Sequence, residues 1–280
     1  MALTVQVPAS TTNLGPGFDC FGVALRLGNR ITIEPEKSAT VPPPIVLEAA
    51  KLFFKKIGSA PFRFECQIEG EVPQARGLGS SVTVRLGVFI GLNELSRANL
   101  SRKALCSLCV DLEGHADNAA TALFGGFVIV NKMRDQVERF EVDPRLKFVL
   151  FIPDFEVKTN KARKVVPTSF SRQAVVENLA NASLIAAAFA SHEYERLQNA
   201  FSDQIHQPYR QHLVPLLPTV LQAAREAGAL GGFLSGSGST ITCLTLSDGN
   251  DIAAAIRAAA PDTKGETLIV TADNVGAQIL

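Results

Sequence analysis

Apolar and polar positions alternate along Leu3-Thr-Val-Gln-Val7, the period-two pattern of a strand with one buried face. A Ser-, Thr-, Gly- and Pro-rich stretch, 8–19, follows and reads as a loop. Residues 29–35 predict a second strand. Residues 36–44 end in Pro42, Pro43 and Pro44, a run that neither a helix nor a strand interior accepts. Helical periodicity spans 45–57, and Gly58 supplies the stop. Phe62, Phe64, Cys66 and Ile68 then alternate through 61–70 and predict a strand that buries those four side chains.

A loop, 71–79, runs directly into a helix predicted over 80–97. Ser101 caps another helix that reaches about Glu113. A polar knot, 114–118, separates it from a short helical run, 119–124. Gly125-Gly126 opens a strand at 127–132, paired with one around Phe140. Residues 147–152 read as a buried strand and 171–201 as two Ala- and Leu-rich helices. A helix over 213–227 carries Pro215 and Pro218 in its first turns, where proline is tolerated, and stops at Gly228. Strands at 232–234, 240–246 and 267–270 and a helix at 252–259 complete an α+β mix without a repeat.

Composition narrows the function class. The chain has 280 residues, 46% hydrophobic, with 27 basic side chains balancing 27 acidic ones. A basic excess of the kind that binds nucleic acid or anionic lipid is missing, so neither a nucleic-acid nor a membrane partner is expected. The longest apolar run, 184–190, is far short of the ~20 residues of a membrane span. Five cysteines, an odd count, with no secretory signal point to reduced thiols in a cytoplasmic protein. Cys106 and Cys109 have metal-ligand spacing, but no second Cys or His pair accompanies them, and two small core residues are the better reading.

Two loops carry candidate chemistry. In Pro73-Gln-Ala-Arg-Gly-Leu-Gly-Ser-Ser81, two glycines let backbone N–H groups approach an anion, and the following helix aims its positive end at the same place. Its serines add hydroxyls for phosphate or Mg²⁺. No lysine stands where a P-loop needs one, so that mechanism is not supported. Gly231 to Thr240 is a second glycine- and serine-rich segment. Each alone fits an ordinary turn; together they favour an anion site. Glu113-Gly-His-Ala-Asp-Asn118 gathers four polar or ionisable residues, with plain helix capping by Asp117 or Asn118 as the alternative.

These residues spell a family. Pro8-Ala-Ser-Thr-Thr-Asn-Leu-Gly-Pro-Gly-Phe-Asp19, Ala75-Arg-Gly-Leu-Gly-Ser-Ser81 and Leu230-Gly-Gly-Phe-Leu-Ser-Gly-Ser-Gly-Ser-Thr240 resemble the three motifs of the GHMP kinases. The first motif, the Glu113–Asn118 knot with Ala122-Leu-Phe-Gly-Gly126, Thr159-Asn-Lys-Ala-Arg163 and His206-Gln-Pro-Tyr-Arg210 resemble homoserine kinases in particular. The resemblance implies an N-terminal domain of ribosomal-protein-S5-like type, 1–145, and a ferredoxin-like C-terminal domain, 146–280, with the site between them. It implies transfer of the γ-phosphate of ATP to the hydroxyl of L-homoserine, and it suggests a homodimer. By motif, Arg76, Gly77, Leu78, Gly79, Ser80 and Ser81 would hold ATP, and Ser81 and Glu113 would hold Mg²⁺. Asn13 would orient the hydroxyl and Asp19 would act beside it, as a base or a contact. His115, Asp117 and Asn118 would line the substrate, Arg163 and Arg210 would take its carboxylate, and Gly236 and Gly238 would close the site.

Other GHMP substrates, or a non-catalytic binding module, are the alternatives. The sequence departs from the pattern at four places, one of them Asn118-Ala-Ala-Thr121 in place of the usual Asn-Val-Ala-Pro. β-Branched Val82, Thr83 and Val84 follow Ser81 and would crowd the helix start; Ser239 stands where proline is common; and 36–47 is shortened, with no recognisable segment for the nucleotide base.

Overall fold

The first sheet is organised by one long strand. In the computed structural model, which describes residues 2–35 and 41–280, β1 (Leu3–Thr12) is followed by β2 (Phe21–Pro35), and the two pair antiparallel along their whole length with a bulge at Pro8/Ala9. Pro8 to Thr12 is therefore strand and not loop. The misleading signal is polarity: Ser10, Thr11 and Thr12 are wholly buried, with their hydroxyls bonded to other side chains. The second strand likewise begins eight residues before its predicted start of 29.

Next come α1 (Pro44–Ile57), with a left-handed Gly58 as its stop, and β3 (Phe64–Gly70) on the outer half of β2. Only Phe64 of the predicted β3 face is buried; Ile68, further along the same edge strand, is exposed. Three helices follow: α2 (Ser80–Ser96), α3 (Arg102–Glu113) and α4 (Asp117–Phe124). The Ser101 side chain accepts from the Ala104 N–H, the expected cap. β4 (Phe127–Asn131) and β5 (Gln136–Phe140) complete the sheet on β2. Helices α1 to α4 cover one face, around Phe53, Phe89, Ile31 and Leu123. Cys106 and Cys109 lie in that core, and burial pushes both thiols up, as small apolar residues and not ligands.

The second sheet starts with β6 (Lys147–Pro153), followed by α5 (Thr159–Lys164), α6 (Arg172–Ser191), α7 (Gln207–Arg210) and α8 (Leu217–Glu226). The expected pair of helices over 171–201 is one long helix and a single 3₁₀ turn, Tyr194–Leu197. Pro215 precedes α8, and Pro218 sits in its first turn. Then come β7 (Gly231–Leu234), β8 (Ile241–Thr245), α9 (Asn250–Ala259) and β9 (Gly265–Val270). Their spatial order, β7-β8-β6-β9 with every pair antiparallel, is the ferredoxin-like arrangement. α8 and α9 pack on one face around Val149, Val220 and Ile256. A third core, with Phe127 stacked on Phe189 at 4.2 Å, joins the two sheets through α6.

The final strand, β10 (Gln278–Ile279), returns to pair with β1, so the last residues of the chain belong to the first sheet. Among the described helices α6 alone is long and apolar enough to cross a membrane by length and composition. It carries Ile185, Ala188 and Phe189 into the inter-sheet core.

Candidate functional site

The loop before α2 packs against the loop after β7, and the two glycine-rich segments fix each other. The Ser235 hydroxyl accepts from Thr11 and donates to the Gly77 carbonyl at 2.7 Å, while the Thr240 N–H donates to the Arg76 carbonyl. Gly77 and Gly79 are left-handed, at φ +76° and +71°. A Cβ on Gly77 would strike the Ser235 carbonyl, and one on Gly79 would strike the Ser10 hydroxyl. Gly79 caps α2 without a side-chain bond, so the first N–H groups of the helix stay open for an anion.

Residues Arg76 to Ser81 all line one cavity of about 700 Å³. Ser80 turns its hydroxyl back to the Val72 carbonyl, and Arg76 ties the loop to Pro153 and Asp154 of the second sheet. The β-branched helix start is accommodated. Thr83 accepts from Asn29 Nδ2 at 2.8 Å, and Asn29 Oδ1 in turn accepts from the Val72 N–H, which anchors the loop. Of the shortened segment, 36–40 lies outside the described residues; Pro43 and Ile45 join Ile68 and Val72 as apolar walls of the cavity.

The opposite wall is charged. Asn13 donates to the Gly236 carbonyl at 2.9 Å and accepts from the Asp19 N–H, which holds the turn between β1 and β2. Asp19 receives both terminal nitrogens of Arg163, at 3.0 and 2.7 Å, so it meets the cavity as half of an ion pair. Arg163 is thereby not the free carboxylate receptor that its motif implies.

Arg210 is buried. Its guanidinium donates to the carbonyls of Ala162 and Gly236 and to His206 Nδ1. Burial and the neighbouring Arg163 charge lower it to about 10, which still leaves it cationic at neutral pH. Both guanidinium groups lie over the Phe18 ring, and His206 stacks on the same ring at 5.1 Å. His206 bonds the Gly15 carbonyl, and burial lowers it to about 4, so it is neutral.

His115, Asp117 and Asn118 lie beside this pair. Neither Asp117 nor Asn118 is a cap: Ala116 is the N-cap of α4, and Asp117 is its first helical residue. Asp117 is buried, which would raise its carboxyl, but the His115 hydrogen bond and charge, the Asn118 N–H and Thr12 outweigh burial and lower it. Burial would lower His115; the hydrogen bond and charge of Asp117 prevail, and the imidazole is raised. Asn118 accepts from Ser10 and donates to Thr12, which ties α4 to β1.

Ser81 and Glu113 line the same cavity. A hydroxyl and a carboxylate suit Mg²⁺, which takes few protein oxygens and completes its shell with phosphates and water. Glu113 Oε1 is held by Arg85, while Oε2 stands 4.0 Å from His115 Nε2 and has no closer cation among the described residues, so the pair fits the metal with one carboxylate oxygen to offer.

Gly236 lines the cavity, whereas Gly238 does not. The Gly238 Cα faces Leu234 and Val214, with its backbone against Gly77, so it supports the loop before α2 from behind. Sequence reasoning also missed Phe18, His206, Asn29 and Arg85. His206 was legible as the residue one turn before Arg210, and Arg85 as the residue one turn after Ser81.

The comparisons agree with this geometry. Residues 44–126 match the model for the GHMP kinases N terminal domain and residues 184–262 that for the GHMP kinases C terminal. A homoserine kinase of Caldicellulosiruptor saccharolyticus is 35% identical, with 99% of this chain and 96% of that protein covered. One from Synechococcus sp. is 38% identical over 89% and 87%. The crystal structure of a homoserine kinase from Cytophaga hutchinsonii superposes with a TM-score of 0.90, at 24% identity, over 100% of this chain and 97% of the other. Two glycine loops bound to each other, a charged wall opposite them, and identity sustained along nearly the whole chain lead to one assignment: the chain belongs to the homoserine kinase family of the GHMP kinases.

Proposed function

We propose that this chain transfers the γ-phosphoryl group of ATP to the side-chain hydroxyl of L-homoserine, giving O-phospho-L-homoserine on the route to threonine. The observation that carries the reading is one cavity with three chemically different walls. Pro43, Ile45, Ile68 and Val72 offer an apolar surface to a nucleobase. The Gly77–Ser81 backbone and the α2 N-terminus receive the phosphates. The third wall carries both signs of charge, as a zwitterionic amino acid requires: Arg163 and Arg210 toward the carboxylate, Asp19 and Asp117 toward the ammonium.

Phosphoryl transfer needs positioning and charge compensation more than covalent help. Mg²⁺ held by Ser81 and Glu113 would supply charge neutralisation at the phosphates. Asn13 orients the hydroxyl. Asp19, with both oxygens on Arg163, serves better to orient the substrate than to abstract its proton. His115, raised by Asp117 and hydrogen-bonded to it, stands beside the reacting groups. Residues 1–145, joined by β10, form one of the two lobes that supply these walls, and the remainder of 146–280 forms the other.

The same reading makes the protein a cytoplasmic enzyme without nucleic-acid or membrane partners. The homodimer belongs to it too, with the exposed Val176, Leu179 and Leu184 of α6 as its apolar contact.

The test is ADP release with Mg-ATP and a panel of L-homoserine, L-serine, L-threonine and mevalonate. Homoserine should give the highest kcat/KM by about two orders of magnitude, since a site built for charged groups rejects substrates that leave them unpaired. Equal turnover across the panel, or none, refutes the proposal.

A further inference from the structure

Ser81 and Arg85 stand one turn apart on α2, so the end of the helix nearest the phosphate loop presents a hydroxyl and a guanidinium on one face. Arg85 Nη1 donates to Glu113 Oε1, Nη2 donates to Glu48 Oε2 at 2.7 Å, and Nε is buried without a partner among the described residues. The Arg85 and Glu113 side chains are 14% and 10% exposed, against 54% for Glu48. Two carboxylates from α1 and α3 thus share one guanidinium, and of the two only Glu113 lines the cavity.

The geometry points to Arg85 as the positioning residue of the divalent-cation site: it fixes Glu113 by one oxygen, leaves the other to the cavity, and offsets the carboxylate charge so that a free cation does not bind before a nucleotide. The inference rests on the kinase reading for the role of Glu113. Its physical basis is local. A nearby guanidinium repels a dication, and around a largely buried pair solvent and salt screen that repulsion incompletely. Nucleotide phosphates restore the missing negative charge, so metal and nucleotide become mutually dependent ligands.

The test measures Mn²⁺ binding to the full chain by electron paramagnetic resonance, without nucleotide and then with ADP. Arg85→Met should tighten nucleotide-free Mn²⁺ binding by about tenfold or more, because the competing cation is gone. Arg85→Lys keeps the charge and should stay within about threefold of wild type. Arg85→Met combined with Glu113→Gln should lose the gain, which a merely structural role of Arg85 does not require.

Glu48→Gln, at an exposed position that threatens the fold least, gives Arg85 wholly to Glu113. It should weaken Mn²⁺ binding in the presence of ADP by about threefold. An unchanged Mn²⁺ affinity in Arg85→Met, a gain that survives Glu113→Gln, or no effect of Glu48→Gln overturns the inference while wild type still binds Mn²⁺ with ADP. A wild type that binds neither overturns the kinase reading, and this inference with it.

Discussion

Gly79 carries two separable burdens, and a double-mutant cycle with Ser10 resolves them. Its backbone is left-handed at φ +71°, a conformation that costs an L-residue about 1–2 kcal/mol. A Cβ there would also overlap the Ser10 hydroxyl and lie 3.1 Å from Asn118 Oδ1, the two atoms joined by a 2.8 Å hydrogen bond. Overpacking of that kind costs about 1–3 kcal/mol. Gly79→Ala should therefore destabilise the protein by about 3.5 kcal/mol. Ser10→Ala removes one buried hydrogen bond and should cost about 1 kcal/mol. In the double mutant the overlap with the Ser10 hydroxyl disappears, leaving only the looser Asn118 Oδ1 contact, while the backbone strain and the lost bond remain, for a total of about 2.5 instead of the additive 4.5 kcal/mol. Urea unfolding of the four proteins measures the coupling of about 2 kcal/mol directly. ADP affinity should fall in both Gly79 variants, because the backbone conformation aims the N–H groups whether or not Ser10 is present. Strict additivity of the two substitutions would show that the loop absorbs the Cβ elsewhere, and normal ADP affinity in Gly79→Ala would remove this loop from the phosphate site.

Arg163→Leu frees Asp19 and removes a guanidinium that is about one-third exposed, so homoserine kcat/KM should fall by about thirtyfold, the lower end for a charge pair, with ADP affinity unchanged. A loss that also appears in ADP titrations would place Arg163 elsewhere. Glu113→Gln keeps the shape of the side chain but not its charge. It should lower kcat by about a hundredfold or more and raise the Mg²⁺ concentration needed for half-maximal rate, whereas wild-type Mg²⁺ dependence would remove Glu113 from the metal site. His206 is lowered to about 4 when folded and returns to about 6.5 when unfolded, so the unfolded chain binds the extra proton. Stability should then decline as pH falls from 6.5 toward 4, by up to about 3 kcal/mol, and His206→Gln should flatten that slope in unfolding curves taken at several pH values.

Local periodicity carried most of the architecture. The spans of α1, α2, α3 and β6 differ by a residue or two from those that apolar spacing, Gly58 and Ser101 predict. Periodicity failed where tertiary contacts override composition. Ser10, Thr11 and Thr12 look like loop residues, yet Asn118 and Ser235, more than a hundred positions away, satisfy their hydroxyls inside the protein. Ile68 has the spacing of a buried residue, like Phe64 on the same strand, but it lines the open cavity and Phe64 does not.

The site divides along the same line. The resemblance to the family motifs indicates which residues meet, since Asn13, Asp19, Arg76 to Ser81, Glu113, His115, Asp117, Asn118, Arg163, Arg210 and Gly236 all line one cavity. Spacing could not reveal how their charges are spent on one another. Asp19 and Arg163 lie 144 positions apart and form a two-pronged ion pair, and Glu113 is held by Arg85. A guanidinium already bonded to a carboxylate offers an incoming carboxylate less than a free one, so under the proposed function homoserine would enter by sharing that pair. Its ammonium would then compensate Asp19 as its carboxylate approached Arg163. A ligand that brings only one of the two charges leaves the other partner short, at the cost of a partly buried, uncompensated ion. Under that proposal, discrimination in favour of a zwitterion follows from the pairing itself, between two residues that the sequence places in one site but not on each other.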